Sequence, residues 1–215
     1  MWYFVKTPWW LLKLYGRLVW RVSGEEKAIY LTFDDGPNPV ATPFVLEELK
    51  KYGARATFFC IGKNVEEQPE LYRRILLDGH RVGNHTHNHL NGWKVDGKRY
   101  VDNVREAAKR IDSDLFRPPY GRIGLLQSRV LRAAPFHYQI VMWDVLSADF
   151  DVALTGEHCA RNVYQNGKAG SIVVFHDSEK AFERLRVALP LVLEKFSNEG
   201  YRFEAIRTQN KIGPG

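Results

Sequence analysis

The chain has 215 residues, of which 45% are hydrophobic and 26% are charged. This composition is that of a folded globular domain, so it excludes disordered, collagen-like and coiled-coil proteins. The formal net charge is +6, and the two cysteines are too few for a disulfide framework or a thiolate zinc site.

The N-terminal segment, residues 1–26, predicts an amphipathic basic helix. Thr7 and Pro8 have the pattern of an N-cap and a first helical residue, and apolar residues recur at helical spacing up to Val22. The first 24 residues contain four basic residues and no acid. In one interpretation the apolar stripe packs on the rest of the domain. In the other, residues 1–23 contact an anionic membrane surface. The tryptophans that favour this second interpretation are Trp2, Trp9, Trp10 and Trp20.

The rest of the chain is nearly neutral and has no zinc-finger, RNP-like or helix-turn-helix pattern, so no nucleic-acid partner is expected. No stretch approaches the roughly 20 apolar residues that a spanning helix needs, and no signal-peptide pattern is present. These observations predict a cytoplasmic protein whose membrane contact, if it has one, is peripheral.

Residues 27–215 alternate between short β-rich runs and segments of helical periodicity, which is the pattern of β/α units around a parallel sheet. This pattern predicts a single domain that is a β/α barrel or an open α/β sheet. Seven strands are predicted, at 28–33, 56–61, 81–84, 115–117, 138–143, 171–175 and 202–206. Helices are predicted at about 43–52, 66–78, 98–112, 125–134, 154–166 and 180–199.

Polar clusters follow five of these strands. Because reactive residues in such folds lie at the carboxyl ends of the strands, we expect all five clusters on one rim of the sheet. In chain order they are Asp34 and Asp35, His85 and His89, Arg117 to Gly121, Asp144 to Asp149, and His176 with Asp177.

The first two clusters suggest a metal site. Neighbouring side chains on a strand point to opposite faces, so one of Asp34 and Asp35 can bind a cation while the other acts as a base. His85 and His89 are four residues apart, which places both imidazoles on one side. With a carboxylate they make an Asp/His/His set with open positions, typical of catalytic zinc sites. The alternatives are an ordinary Asp-Gly turn and a solvated loop, and His87 is interpreted as a supporting or surface histidine.

The later clusters supply groups for acid catalysis. Two prolines and a glycine fix the backbone around Tyr120, whose amide can stabilise an oxyanion, with Arg117 at the start of the same turn. His176 ends an apolar strand and is a plausible general acid, and Asp149 can stabilise its imidazolium form. A structural turn and a packing histidine are the alternatives.

The ordered set TFDDGP, HTHNH, RPPYG, WDVLSAD and VFHD resembles the polysaccharide deacetylases of carbohydrate esterase family four, the NodB homology domain. The resemblance spans about Lys27 to Ile206. It implies a distorted seven-stranded β/α barrel that holds one divalent metal ion, usually zinc. It also implies hydrolysis of the N-acetyl amide of an N-acetylglucosamine-containing glycan, so the expected substrate is an N-acetylated glycan or amino sugar.

The resemblance also implies a role for each motif residue. These roles are metal ligation for Asp35, His85 and His89, general base for Asp34 with Arg117 as its hydrogen-bond donor, oxyanion stabilisation by the Tyr120 amide, and general acid for His176 tuned by Asp149.

Two positions depart from the family pattern. The fourth motif is usually D-x-x-D-W, and here Leu146 and Phe150 stand at its first acid and its tryptophan. The fifth motif normally has a leucine two residues before its histidine, where this chain has Val174. Because Asp149 is retained, we expect catalysis to survive, with Phe150 and Val174 lining an apolar acyl pocket of altered shape.

Three alternative functions remain open. One is a deacylase of a small or lipid-linked N-acyl sugar at the inner membrane face. A second is an inactive carbohydrate-binding module, which is disfavoured because every expected catalytic position is filled. The third is a non-haem iron oxygenase that uses the Asp/His/His set as a facial triad, which leaves Asp34 and His176 without a role.

Overall fold

The computed structural model describes residues 3–23 and 27–207, so Trp2 of the predicted N-terminal helix lies outside the described residues. The strands are Ala28–Asp34 (β1), Thr57–Cys60 (β2), Arg81–Asn84 (β3), Leu115–Phe116 (β4), Gln139–Ile140 (β5), Val145–Leu146 (β6), Ile172–His176 (β7) and Arg202–Phe203 (β8). The helices are Trp9–Leu14 (α1), Ala41–Lys51 (α2), Gly62–Glu67 (α3), Pro69–Leu77 (α4), Gly97–Ala108 (α5), Leu125–Arg132 (α6), Gly156–Asn166 (α7) and Glu179–Asn198 (α8).

The predicted distorted barrel of parallel strands is confirmed. Seven strands follow the order β5-β4-β3-β2-β1-β7-β6, and β8 pairs with β1 at one end. Every pairing between these eight strands is parallel. All seven residues of the central strand β1 are buried, because helices and the barrel interior cover both of its faces. Among the described residues, no helix combines the length and the apolar composition that a membrane crossing requires.

The predicted fifth strand is wrong in its extent. A single strand was expected over 138–143, but the sheet contains only Gln139–Ile140, and a further strand that was not predicted follows at Val145–Leu146. These two strands stand at opposite ends of the sheet order and leave a gap in the barrel. We call this gap the seam. The last predicted strand is also shorter than expected, because it pairs with β1 over only Arg202 and Phe203.

The predicted N-terminal helix is also wrong in its extent. Helix α1 covers only Trp9–Leu14, and Pro8 rather than Thr7 precedes it as the N-cap. Beyond a turn, the chain runs along β5, where the Val19 N–H donates to the Ile140 carbonyl at 2.9 Å and the Val19 carbonyl accepts from Met142 at 2.7 Å. The exposed strand edge needs backbone partners, and this requirement overrides the helical spacing of the apolar residues.

The start of the same segment pairs with the other side of the seam. The Leu146 N–H donates to the Val5 carbonyl at 2.8 Å, and the Thr7 N–H donates to the Asp144 carbonyl at 3.0 Å. The Thr7 hydroxyl also donates to the Trp143 carbonyl, at 2.7 Å, so it does not cap a helix. Residues 3–23 therefore fill the seam. The division of the chain at residues 26 and 27 stays a prediction.

The buried Asp144 holds residues 3–23 in place through hydrogen bonds and ion pairs. The Asp144 carboxylate accepts from Lys6 Nζ at 2.7 Å and from the Ser171 hydroxyl at 2.6 Å, and it lies 3.6 Å from Arg21 Nε. Lys6 and Arg21 therefore compensate a buried charge, although Arg21 was expected on the polar face of a helix.

Candidate active site

The carboxyl ends of β1, β3 and β7 bring the expected side chains to one edge of the sheet, which we call the rim. The parallel register places Asp34 beside His176, and Asn84, which precedes His85, beside Phe116. The five predicted clusters therefore converge because neighbouring parallel strands all end on this side.

Three side chains at the rim point at one another. The ligand atoms of Asp35, His85 and His89 all lie within 4.8 Å of one another. Asp35 Oδ1 is 3.6 Å from His85 Nε2 and 3.1 Å from His89 Nε2. Asp35 and His89 have φ angles of 79° and 53°, and Asn64 holds the turn by donating to the Asp35 carbonyl at 2.7 Å. Backbone in this uncommon region requires compensation from surrounding contacts, which is typical of functional sites.

The buried His85 is oriented for metal binding. Its Nδ1 lies 2.8 Å from the Arg117 carbonyl and donates a hydrogen bond to it. The unprotonated Nε2, on the side of Asp35, therefore has a free lone pair for a metal ion. Burial lowers the pKa of His85 to about 4, so the ring is neutral at pH 7, as a metal ligand requires.

The Asp35 carboxylate supplies the third donor. Its Oδ1 atom is buried and has no hydrogen-bond partner among the described residues. A buried carboxylate oxygen without a hydrogen bond is costly, and a cation would satisfy it. One carboxylate and two imidazoles that converge at this distance fit a divalent metal ion of the zinc type, with coordination positions left for water and substrate.

Asp34 lies beside this cluster in a buried ion pair with Arg117. Arg117 Nη1 donates to Asp34 Oδ1 at 2.7 Å, and neither side chain is more than 4% exposed. The guanidinium also donates to the Thr32 hydroxyl at 2.7 Å and lies 4.0 Å from the centre of the Phe59 ring. Its remaining bonds go to the carbonyls of two residues, Val141 at 3.2 Å and Met142 at 3.0 Å. Thr32 and these two carbonyls were not found from the sequence.

His176 is held by Asp149. Its Nδ1 lies 2.7 Å from Asp149 Oδ1, and its backbone N–H donates to the other carboxylate oxygen at 2.8 Å. Burial disfavours the imidazolium, but the charge and hydrogen bond of Asp149, together with the charges of Asp35 and Asp34, raise the pKa of His176 to about 9. The imidazole is therefore protonated at neutral pH, with Nε2 available to donate a proton.

The remaining predicted residues surround these groups. Tyr120 has a φ of 60° in the turn after two prolines, and its ring centre lies 4.6 Å from that of His89. The Phe150 ring lies 5.3 Å from the His176 ring. Val174 is buried in β7 next to Leu146 of β6. His87 lies outside the cluster, and its Nδ1 has no hydrogen-bond partner among the described residues.

Sequence reasoning assigned no role to Asp177. This buried carboxyl accepts from the Gly36 N–H at 3.1 Å and from the Thr42 hydroxyl at 2.5 Å. It packs so closely on the turn that a Cβ at Gly36 would lie 2.1 Å from it, which explains why only glycine fits there. Burial raises the pKa of Asp177 to about 8. Adjacency to His176 was the only available signal, because its partners lie more than 130 residues away.

Comparison with known proteins identifies the family. The family model described as polysaccharide deacetylase matches residues 21–138. A peptidoglycan-N-acetylglucosamine deacetylase of Bacillus cereus is 36% identical over 197 residues, which cover 89% of this chain and 92% of that protein. The chain belongs to the polysaccharide deacetylase family. The resemblance inferred from the motifs is therefore confirmed, and the protein is a hydrolase.

Other relatives agree with this membership. A chitooligosaccharide deacetylase of Azorhizobium caulinodans is 34% identical over 164 residues, which cover 73% of this polysaccharide deacetylase and 77% of the relative. A crystal structure of a peptidoglycan N-acetylglucosamine deacetylase in complex with 4-naphthalen-1-yl-N-oxidanyl-benzamide superposes with a TM-score of 0.84 at 28% identity. It covers 93% of this chain and 95% of that one. Family membership favours hydrolysis over the oxygenase alternative.

Proposed function

We propose that this polysaccharide deacetylase removes N-acetyl groups from an N-acetylglucosamine-containing glycan with the help of one divalent metal ion. The observation that carries the proposal is the convergence of an Asp/His/His donor set with a paired carboxylate and a protonated histidine on one rim. The names of the relatives, which refer to peptidoglycan N-acetylglucosamine and to chitooligosaccharide, support this substrate class.

Asp35, His85 and His89 would hold the ion. When bound, such an ion supplies Lewis-acid activation of a water molecule and of the amide carbonyl. Zinc suits one carboxylate and two imidazoles.

Asp34 would act as the general base. It ends β1 next to Asp35, so it lies beside the place where the attacking water must sit. Arg117 compensates the carboxylate charge at Oδ1 and orients the group, which leaves the other oxygen to take the proton of the water. The four hydrogen bonds of the guanidinium keep this pair rigid.

Tyr120 and His176 would stabilise the oxyanion and protonate the leaving group, respectively. The Tyr120 backbone N–H, held in the rigid turn after two prolines, would stabilise the developing oxyanion. His176, protonated at neutral pH, would donate its Nε2 proton to the departing nitrogen, and Asp149 would stabilise the imidazolium until that step.

The residues that depart from the family pattern in the fourth and fifth motifs would line the acyl pocket. Phe150 packs against the His176 ring, and Val174 and Leu146 lie side by side on neighbouring strands. We assign the acetyl methyl group to the apolar surface beside these residues, where Phe150 takes the place of the usual tryptophan.

Two kinds of N-acetylated substrate remain possible, and they differ in where the enzyme would have to act. A peptidoglycan substrate lies outside the cytoplasmic membrane, whereas the predicted cytoplasmic location suits a small or lipid-linked N-acyl sugar. We favour a glycan of the kind named for the relatives, and the cytoplasmic location stays a prediction.

The decisive experiment measures acetate release and metal content together. The protein is loaded with Zn²⁺, and acetate release is compared for an N-acetylglucosamine oligomer, peptidoglycan fragments and the monosaccharide. We expect one ion per chain and release from the oligomer or the peptidoglycan fragments. A protein that binds one ion and releases acetate from none of the three would contradict the proposal.

A further inference from the structure

The exposed apolar side chains of this protein are concentrated on one face. Eight of the thirteen large apolar side chains that are exposed in the described part of the chain belong to α1, α6 or the loops beside them, so the distribution is uneven. The most prominent members, which we call the apolar face, are Phe4, Trp9, Trp10, Trp93, Leu125 and Leu126. An exposed apolar cluster of this kind marks a surface of interaction.

These residues are close together in space although they are far apart in sequence. Phe4, Trp10 and Trp93 line the same cavity of about 460 Å³. Trp93 Nε1 donates to the Ile123 carbonyl at 3.2 Å, and α6 begins two residues later at Leu125. Leu125 and Leu126 are 74% and 68% exposed in the first turn of that helix.

The two stretches of chain that supply most of this face carry only positive charge. No Asp or Glu occurs in residues 1–24 or in residues 115–143, and these two stretches meet on the face. Two cations lie over its tryptophans, with Lys13 Nζ 5.1 Å from Trp9 and the Arg122 guanidinium 5.3 Å from Trp93.

Three more cations form a cluster at the other end of α6. Arg129 and Arg132 both lie in the last turn of α6. Burial and the positive charges of Arg17 and Arg129 lower the pKa of Arg132, so both of these cations act on it. None of them forms an ion pair with an acid among the described residues. Uncompensated like charges are stabilised by an anionic partner.

We propose that this face docks the protein on an anionic lipid surface. Tryptophan side chains favour the boundary between water and hydrocarbon, exposed leucines insert beside them, and Lys and Arg bind the lipid phosphates. The apolar and the basic residues are both needed for such a surface, and both are present on one face.

Other partners fit the same residues less well. A nucleic acid would pair with the arginines and leave Leu125 and Leu126 in water. A second copy of this chain would bring the same cations against one another. Docking on lipid also has a consequence for the proposed function. Tyr120 lines the cavity of this face and its ring lies against that of His89, so a docked lipid surface would lie next to the candidate active site.

The test measures binding of the full chain to vesicles. Vesicles of phosphatidylglycerol and phosphatidylcholine in equal parts are compared with vesicles of phosphatidylcholine alone in a flotation assay. We expect binding to the anionic vesicles only, and weaker binding as salt is raised. The paired change Arg129→Gln and Arg132→Gln should weaken binding roughly 30-fold, since each basic residue near such a surface contributes about 1 kcal/mol.

A matched pair of variants tests the apolar contribution. Leu125→Ser with Leu126→Ser should weaken vesicle binding at least roughly tenfold. Leu76→Ser with Leu77→Ser makes the same change in an exposed pair on α4, 45% and 79% exposed, and should leave binding unchanged. Acetate release from a free oligosaccharide should be the same in both double variants, which shows that both are folded.

Three results would overturn the proposal. One is a full chain that stays off anionic vesicles at low salt. Another is equal binding to neutral vesicles. The third is a loss of vesicle binding in the α4 double variant, Leu76→Ser with Leu77→Ser, that is as large as the loss in the α6 double variant. If vesicles are not bound and Leu125→Ser with Leu126→Ser instead abolishes a dimer in analytical ultracentrifugation, the face is an interface between copies.

Discussion

Buried carboxylates are held by cations in two regions of this protein, at the rim and at the seam. At the rim, Asp34 accepts from Arg117 at 2.7 Å, and at the seam, Asp144 accepts from Lys6 at the same distance. Both acids are almost completely buried. The ion pairs are therefore alike in length and in the burial of the acid, although we assign catalysis to only one of them.

The surroundings distinguish the two regions. Asp34 lies beside a cluster of metal-ligating side chains and next to His176. Asp144 is bonded instead to Lys6, on the segment that fills the seam, and to Ser171, directly before β7. A buried ion pair therefore does not by itself identify a catalytic group. Substitutions at the rim should change the reaction more than the fold, and substitutions at the seam should do the reverse.

The largest effect at the rim is expected for His85→Ala. Removing one of three donors should abolish binding of the ion and lower acetate release by at least about 10⁴-fold, because activation of the water and of the carbonyl is lost together. His87→Ala is the matched control, since it removes a histidine of the same motif that lies outside the cluster. Metal per chain is measured by elemental analysis, and a His85→Ala protein that still binds one ion would disprove the assignment.

Asp34→Asn should separate the base from the metal ligands. We expect the ion to remain bound and the rate to fall by about 10² to 10⁴, which is the contribution of a general base. The change also leaves the buried Arg117 without its carboxylate, which costs about 3 kcal/mol of stability, so the rate must be compared per folded molecule. Loss of the ion from Asp34→Asn would instead show that the two aspartates have exchanged roles.

Asp144→Ala should have the opposite effect. It removes the acceptor of Lys6 and Ser171 and should lower the free energy of unfolding by about 2 to 4 kcal/mol, as measured by urea denaturation. The kcat/KM of the molecules that remain folded should not change. Asp102→Asn, on the exposed face of α5, serves as the control. If Asp144→Ala loses activity without losing stability, the seam is part of the active site.

The contrast between rim and seam also explains what the sequence could predict. The rim was predictable because strand ends are local features, and parallel strands bring their ends to one side whatever their order. Asp34, His85 and His176 could therefore be grouped before any contact was known.

The seam depends on pairing between distant residues. The helical spacing of residues 8–22 is real, but only the first part of it forms helix α1, and the backbone hydrogen bonds of Val19 and Val22 go to residues more than 120 positions away. Asp144 and Asp149 lie in the same short motif and are both buried. The sequence associated Asp149 with His176, but it offered no partner for Asp144. Asp144 is bonded to a lysine 138 residues earlier, which no local pattern contains.

The last prediction uses the pH dependence of acetate release to test the second ion pair at the rim, which Asp149 forms with His176. The pKa of His176 is raised to about 9, so its acid form is present below that pH and is lost as the pH rises through it. Acetate release should therefore fall on the alkaline side. Asp149→Asn keeps an acceptor for Nδ1 but removes the negative charge that stabilises the imidazolium, so the alkaline limb should move to lower pH.

Asp151→Asn provides the matched control for this experiment. Asp151 is a half-buried acid two residues further along the same loop, bonded to the Tyr3 hydroxyl rather than to His176. Its loss should leave the alkaline limb in place. An alkaline limb that ignores Asp149 in a folded variant would mean that another group protonates the departing amine. If the alkaline limb shifts in Asp149→Asn but not in Asp151→Asn, the Asp149–His176 ion pair at the rim controls protonation of the departing amine. The ion pair between Lys6 and Asp144 at the seam has no such role.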